Sequence, residues 1–310
     1  MSGADGRLAV VDVGSNSVRL LLCERIGPAG PEGERLATVT GLRRGAADDG
    51  AIAEDALARL DACLAGYAGR IAAFAPARVV AVGTSAVRDA PNAGRVDAVV
   101  RARLGTGLTV LSGEREAAAA FAGARLGAPG DGAVMVVDIG GGSTELVRGG
   151  SGPEGAVSLQ LGAVRQTERH LRSDPPAPAE VAALRVDAAA LLAGGLEAIG
   201  GPAPAVGVAG TITSLAAIDL GEYRPERVHG HRLTRERAEA LTASLCRATV
   251  AERRRLPGLD PARAGVIAGG ALIACAVLEA AGLDAMTVSE RDLLDGVAMA
   301  ASRPGGGYPM

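Results

Sequence analysis

The sequence predicts an α/β protein built from two domains. Three observations carry this reading. The chain has 310 residues, where one domain takes roughly 100–200. Strand-like and helix-like segments alternate along it. A strand–turn–strand pattern recurs 126 positions after its first appearance. With 48% hydrophobic residues and a formal net charge of −3, the bulk of the chain is not disordered.

The elements follow in order. LAVVDVG (8–14) and VRLLLCERI (18–26) are apolar, β-branched runs joined by the tight connection Gly-Ser-Asn-Ser. From Ile52 to about Phe74, apolar residues at Ala56, Leu57, Leu60, Leu64 and Tyr67 keep helical spacing. A strand (78–84), a helix near 92–104, the strand LTVLS and an alanine-rich helix from Glu114 to about Leu126 come next. Ala128-Pro-Gly-Asp-Gly132 is a turn cluster before the strand AVMVVDIG. The punctuated stretch Arg172 to Pro178 leads into a helix ending near Ile199, then the strand-like AVGVAG (205–210). The remainder is mostly helical with one short strand, AMTVS, and a loop-like tail. The uncharged run between Arg263 and Glu279 is short of the roughly 20 residues a membrane span needs, and reads as a buried helix.

Composition narrows the chemistry. All 32 basic residues are arginine, so a Walker A loop and a pyridoxal Schiff base, both of which need lysine, are excluded. Four scattered cysteines form no CxxC, which argues against a zinc ribbon or disulfide framework and for a reducing, cytoplasmic setting. The polar start, Met1 to Arg7, does not read as a secretory signal. Near-neutral charge and few aromatics argue against a nucleic-acid partner. No membrane partner is expected.

The repeat carries the functional argument. AVVDVGSNSVRLLL (9–22) aligns without gaps on MVVDIGGGSTELVR (135–148), placing Asp12 on Asp138, Gly14 on Gly140, Ser17 on Ser143 and Arg19 on Glu145. In each copy a strand delivers a carboxylate beside a turn of small residues. Successive backbone N–H groups in such turns form a concave anion site. Gly14, Ser15, Asn16 and Ser17 are candidates in the first copy, and Gly140, Gly141, Gly142, Ser143 and Thr144 in the second. Asp12 and Asp138 are poor phosphate ligands themselves. They make sense as ligands of a divalent cation, Mg²⁺ or Mn²⁺, which takes one or two carboxylates plus water and substrate. A third turn, Gly210-Thr211, precedes a helix whose N-terminus suits an anion, or is ordinary capping.

DVGSN, DIGGGSTE and AGTIT, in this order, resemble the phosphate-1, phosphate-2 and nucleotide-side motifs of the acetate kinase/Hsp70/actin superfamily. Within it, the chain resembles the exopolyphosphatase/guanosine pentaphosphate phosphohydrolase family. That match adds Thr84-Ser-Ala-x-Arg-Asp-Ala90, Ser112-Gly-x-x-Glu-Ala117, Ser158-Leu-x-Leu-Gly-Ala163 and Val288-Ser-Glu-x-Asp-Leu293, and spans nearly all of residues 8–300. The chain resembles the short, two-domain form of the family. It departs from the usual pattern in having no lysine.

The resemblance implies two ribonuclease H-like (actin-like ATPase) domains with mixed sheets and an active site in the interdomain cleft. They are placed at residues 1–124 and 125–302, with a disordered tail at 303–310. It places the catalytic glutamate at Glu116; Glu114 is its solvated neighbour. It puts Glu145 in the site, either orienting water or metal while Arg19 contacts phosphate, or salt-bridged to Arg19. Arg88 corresponds to a phosphate-contacting arginine, with a local salt bridge to Asp89 or Asp97 as the alternative. His229 and His231 read as loop structure rather than a metal site, and Arg253-Arg-Arg255 as a solvated helix end or a secondary polyanion track. The implied activity is metal-dependent exopolyphosphatase, releasing orthophosphate from inorganic polyphosphate. The alternatives are guanosine pentaphosphate hydrolysis, a non-hydrolytic guanosine tetraphosphate sensor and a superfamily kinase. The family further implies a homodimer.

Overall fold

The computed structural model describes residues 6–45, 50–126 and 132–303. The chain forms two compact units, Met1–Leu126 with Leu293–Met310, and Gly127–Asp292.

The first unit holds β1 (Leu8–Val13), β2 (Ser17–Gly27), β3 (Gly30–Val39), α1 (Glu54–Phe74), β4 (Arg78–Gly83), α2 (Ser85–Arg88), α3 (Ala93–Leu104), β5 (Leu108–Val110) and α4 (Gly113–Arg125). Its sheet runs β3-β2-β1-β4-β5. β1 pairs antiparallel with β2 and parallel with β4, so every residue of this central strand is buried. Side chains alternate between faces. Ala9, Val11 and Val13 pack among α1 and α3 residues, including Leu60, Leu64, Val96 and Val100. Leu8 and Val10 face the other way, onto Ala119 and Ala120 of α4. Asp12 continues the second series, so it ends the strand on the α4 face.

The second unit holds β6 (Val134–Ile139), β7 (Thr144–Gly149), β8 (Pro153–Leu159), α5 (Ala163–His170), α6 (Pro178–Ala198), β9 (Ala205–Val208), α7 (Ala209–Leu220), α8 (Pro225–Val228), β10 (Arg232–Thr234), α9 (Arg235–Arg247), α10 (Val250–Arg253), α11 (Ile267–Ala280) and β11 (Ala285–Val288). Its sheet runs β10-β11-β9-β6-β7-β8. From β9 onward the order mirrors the first sheet: an antiparallel meander follows one central strand, which pairs parallel on its other side. Met135, Val137 and Ile139 enter a core with α6, α7 and α11. The uncharged run forms α11 as expected, buried from Ile267 to Leu278. No helix among the described residues is long and apolar enough to cross a membrane.

One helix departs from the expected division, which gave all of 125–302 to the second domain. α12 (Leu293–Ala301) belongs to the first unit. Its Leu293, Leu294, Val297 and Ala298 share a core with Leu8, Val10, Val80 and Val82. Gly296 makes this approach possible, since a Cβ there would lie 2.0 Å from the Ala119 carbonyl oxygen. The fully buried Asp295 is ion-paired with Arg35 of β3, and Arg78 donates to the Ala301 carbonyl at 3.2 Å. Apolar burial and two polar ties hold the helix there. Of the tail expected at 303–310, all but Arg303 lies outside the described residues.

Candidate active site

The two repeat copies fold as the same hairpin. In the first, Asp12 lies opposite Arg19; in the second, Asp138 lies opposite Glu145. Both turns close with the same backbone bond, Gly14 N to Ser17 O at 3.1 Å and Gly140 N to Ser143 O at 3.0 Å.

The backbone accounting of these turns shows what they present. In the first, the Ser15 carbonyl accepts from Arg43 N, and the Asn16 carbonyl from Thr40 N and Gly41 N. In the second, the Gly140 carbonyl accepts from Ala163 N, and that of Gly141 from Val164 N and Arg165 N. Arg165 Nε donates to the Gly142 carbonyl at 2.7 Å. Every one of these carbonyls is drawn inward, onto the segment 40–43 or the start of α5. The amides of Ser15, Asn16, Gly141, Gly142 and Ser143 make no hydrogen bond among the described residues. In a trans peptide N–H and C=O point opposite ways, so a carbonyl held inward turns the next amide outward. Both turns thus have the polarity of an anion cradle. Gly162 permits the second, because a Cβ there would lie 2.4 Å from the Gly141 carbonyl oxygen.

Side chains surround the first unit's turn. Ser15 Oγ and Ser85 Oγ are hydrogen-bonded at 3.0 Å, tying the turn to the start of α2. Arg19 donates to Asp12 Oδ2 through Nε at 2.9 Å and Nη2 at 2.7 Å, holding a carboxylate only 2% exposed. Glu116 is buried in the first turn of α4, whose N-cap Ser112 accepts from Arg115 N. Its Oε2 accepts from Arg88 Nη1 at 2.7 Å, and that nitrogen also donates to the Leu111 carbonyl at 3.0 Å. Arg88 Nε stands 3.9 Å from Asp89. Asp97, the other local candidate, takes Arg101 and the Leu108 amide instead. Fold and sequence thus join Arg88 and Glu116, two residues the motifs name separately. Asp12, Glu116 and Arg88 all belong to the first unit, with Asp12 and α4 on one face of its sheet.

In the second unit, Glu145 Oε1 accepts from Ser158 Oγ of β8 at 2.6 Å. Ser143 and Thr144 are buried, and the Thr144 hydroxyl donates to the Leu161 carbonyl. At the third turn, Ala209 adopts φ 64°, a left-handed conformation costly for a residue with a Cβ. Gly210 and Thr211 follow in the first turn of α7. The Arg263 guanidinium lies directly over Gly210.

The histidines act in loop structure, as expected, while the arginine run differs at Arg253. His231 Nε2 bonds Asp219 at 3.0 Å, and His229 Nδ1 accepts from Glu290 N at 3.3 Å, so both fasten loops. Arg253 is not part of a solvated patch. It is buried, donating to the Leu245 and Ala264 carbonyls, and burial lowers its pKa. Sequence reasoning gave no role to Ser85, Arg165 or Arg263. Arg165 had a signal, its place in the first helical turn after Leu161-Gly162; Arg263 had none, because only the fold carries it to Gly210.

The cation question is one of donor chemistry. Like charges directly opposite on paired strands are destabilising, and Asp138 opposite Glu145 is such a pair. A divalent cation suits that position. Asp12 fits less well, its Oδ2 being held already by Arg19. Among the described residues no group of three or more His, Cys, Asp or Glu gathers as a closed metal site. Mg²⁺ does not require one, since water and substrate oxygens complete its shell.

An acid-tipped hairpin with outward amides in each unit, and a buried Glu–Arg pair in the first, define a two-unit α/β protein with turns suited to anions such as phosphate. The comparisons narrow the class. Residues 34–302 match the Ppx/GppA phosphatase family, and the chain belongs to it. It is 36% identical to exopolyphosphatase 2 of Mycobacterium tuberculosis, over 94% of this chain and 98% of that protein. It is 31% identical to a guanosine-5'-triphosphate,3'-diphosphate pyrophosphatase of Vibrio cholerae, over 93% of this chain and 58% of that protein. The crystal structure of an exopolyphosphatase-like protein superposes with a TM-score of 0.89 at 34% identity, covering 95% of this chain and 97% of the other.

Proposed function

We propose that this protein is an exopolyphosphatase, hydrolysing the terminal phosphoanhydride bond of inorganic polyphosphate to release orthophosphate. The observation that carries the reading is Glu116, buried and held by Arg88 at 2.7 Å. A carboxylate fixed in this way suits a general base. The full-length likeness to an exopolyphosphatase supports the choice of substrate.

In this reading, outward amides of the two turns bind phosphoryl oxygens. Glu116 takes a proton from water as its oxygen attacks the terminal phosphorus. The bridging P–O bond breaks and the shortened chain leaves with its electron pair. Arg88 offsets charge on Glu116 and keeps it oriented, while Glu145, fixed by Ser158, orients water or metal. A divalent cation such as Mg²⁺ or Mn²⁺ held by Asp138, with Glu145 beside it, would neutralise charge on a phosphoryl group bound at the second turn.

The test is orthophosphate release measured in parallel from short polyphosphate, long polyphosphate, guanosine pentaphosphate and ATP, with and without Mg²⁺. Polyphosphate turnover without an acceptor is expected. Turnover of guanosine pentaphosphate alone would replace the substrate, and binding without turnover would make the protein a sensor. Glu116→Gln should lower kcat by about 10² or more, the scale of losing an acid–base group. Unchanged turnover would remove Glu116 from this role.

A further inference from the structure

The second turn has three successive glycines, the residues least able to hold a peptide plane on their own. Its planes are fixed from outside, one carbonyl at a time. Ala163 N holds the Gly140 carbonyl, and Val164 N and Arg165 N hold that of Gly141. The third plane, joining Gly142 to Ser143, is held by a side chain, Arg165 Nε on the Gly142 carbonyl at 2.7 Å. The N-terminal amides of α5 are therefore consumed by the turn and are not offered to an anion.

We infer that Arg165 is a positioning residue for the second phosphate cradle, locking the Gly142–Ser143 peptide so that the Ser143 amide faces the bound phosphoryl group. Without the guanidinium this plane is free to flip, replacing a donor by a carbonyl oxygen that repels the anion. The first turn needs no such side chain of its own. Backbone amides of Thr40, Gly41 and Arg43 hold its carbonyls, and Arg59 braces that strap from behind, donating to Thr40 O at 2.6 Å and Gly41 O at 3.2 Å. Arg165 thus does for a glycine turn what a second layer of backbone does for Ser15 and Asn16. The inference rests on the phosphoanhydride reading for its ligand, but on backbone geometry for its mechanism.

The experiment compares wild type with Arg165→Met, Arg165→Lys and, as a control, Arg169→Gln. Arg169 is on the same helix, exposed and paired with Asp187. Binding of imidodiphosphate, which is not hydrolysed, is measured by calorimetry beside polyphosphate turnover and thermal melting. Both Arg165 variants should bind about tenfold more weakly, the scale of one hydrogen bond to a charged group. Their KM should rise more than their kcat falls, and Arg169→Gln should match wild type. Lysine should not rescue, because it keeps the charge but lacks the Nε–H that meets the Gly142 carbonyl. Rescue by lysine, equal affinity in all four proteins, or an equal loss in Arg169→Gln would each overturn the inference. If wild type binds imidodiphosphate but releases no phosphate from polyphosphate, the functional reading fails and the positioning role still stands or falls on affinity. Absence of binding by wild type would overturn both. If Arg165→Met does not fold, Arg165→Lys carries the comparison.

Discussion

Hairpin β1–β2 and hairpin β6–β7 share their register, their closing turn bond and a fully buried first strand, yet opposite each aspartate stands a different partner. Arg19 neutralises Asp12 within its own hairpin, whereas Glu145 adds a second carboxylate beside Asp138. The support also differs. The start of β2 is pinned from α1, where Tyr67 donates to the Val18 carbonyl at 3.0 Å and bonds Thr38. At the equivalent place in β7 the pin is the strand's own Thr144, bonded to Leu161. Backbone geometry survives such divergence because a strand–turn–strand unit is specified by small turn residues and an apolar strand. The residue opposite the acid sets only the local charge. One copy thereby carries an ion pair and the other two facing carboxylates.

That contrast can be broken at several points. The largest effect is expected at Asp138. Asp138→Asn should lower metal-dependent turnover by about 10², the scale of losing one transition-state charge contact, with little change in melting. A metal titration indistinguishable from wild type would cancel the acid-pair reading of the second hairpin. In the first hairpin the loss should appear as stability. Arg19→Met leaves a buried carboxylate without its guanidinium and should cost about 3 kcal/mol in denaturant unfolding. Glu145→Gln removes the like charge opposite Asp138, so its unfolding free energy should stay near wild type while its metal dependence weakens. Equal destabilisation of the two variants would mean that the hairpins do not differ in charge design.

The smallest effect concerns the pin. Burial pushes the Tyr67 hydroxyl up to about 12, from an ordinary value of 10. Above pH 10 the unfolded chain releases this proton while the folded one retains it, so the unfolded state binds fewer protons and stability falls as pH rises toward 12. Tyr67→Phe should cost about 1 kcal/mol at neutral pH through its lost hydrogen bonds. It should also show a shallower decline in melting temperature between pH 10 and 12. Parallel declines would show that Tyr67 does not ionise differently on folding.

Much of this was legible in the chain. The central strands are apolar on both faces, so LAVVDV and VMVVDI announce themselves, and with them the turn that follows each. The edge strands β3, β8 and β10 are the ones the sequence did not reveal. Each pairs on one side only and is partly open to water, so GPEGERLATV needs no apolar alternation to form. α12 was visible as a helix but not as part of the first unit, because its apolar face suits any apolar surface and only packing chooses one.

The sequence by itself determined the duplicated hairpin, the acids at its tips and the class of chemistry, since these depend on local periodicity and on residue types adjacent in the chain. Tertiary structure decided which groups meet: Arg88 with Glu116, Arg19 with Asp12, Arg165 with the Gly142 carbonyl, Arg263 over Gly210. A guanidinium can satisfy many acceptors, and all 32 basic residues here are arginine. Composition therefore could not assign partners. Only chain reversal at strands and helix ends brings a particular arginine within hydrogen-bond distance of a particular oxygen.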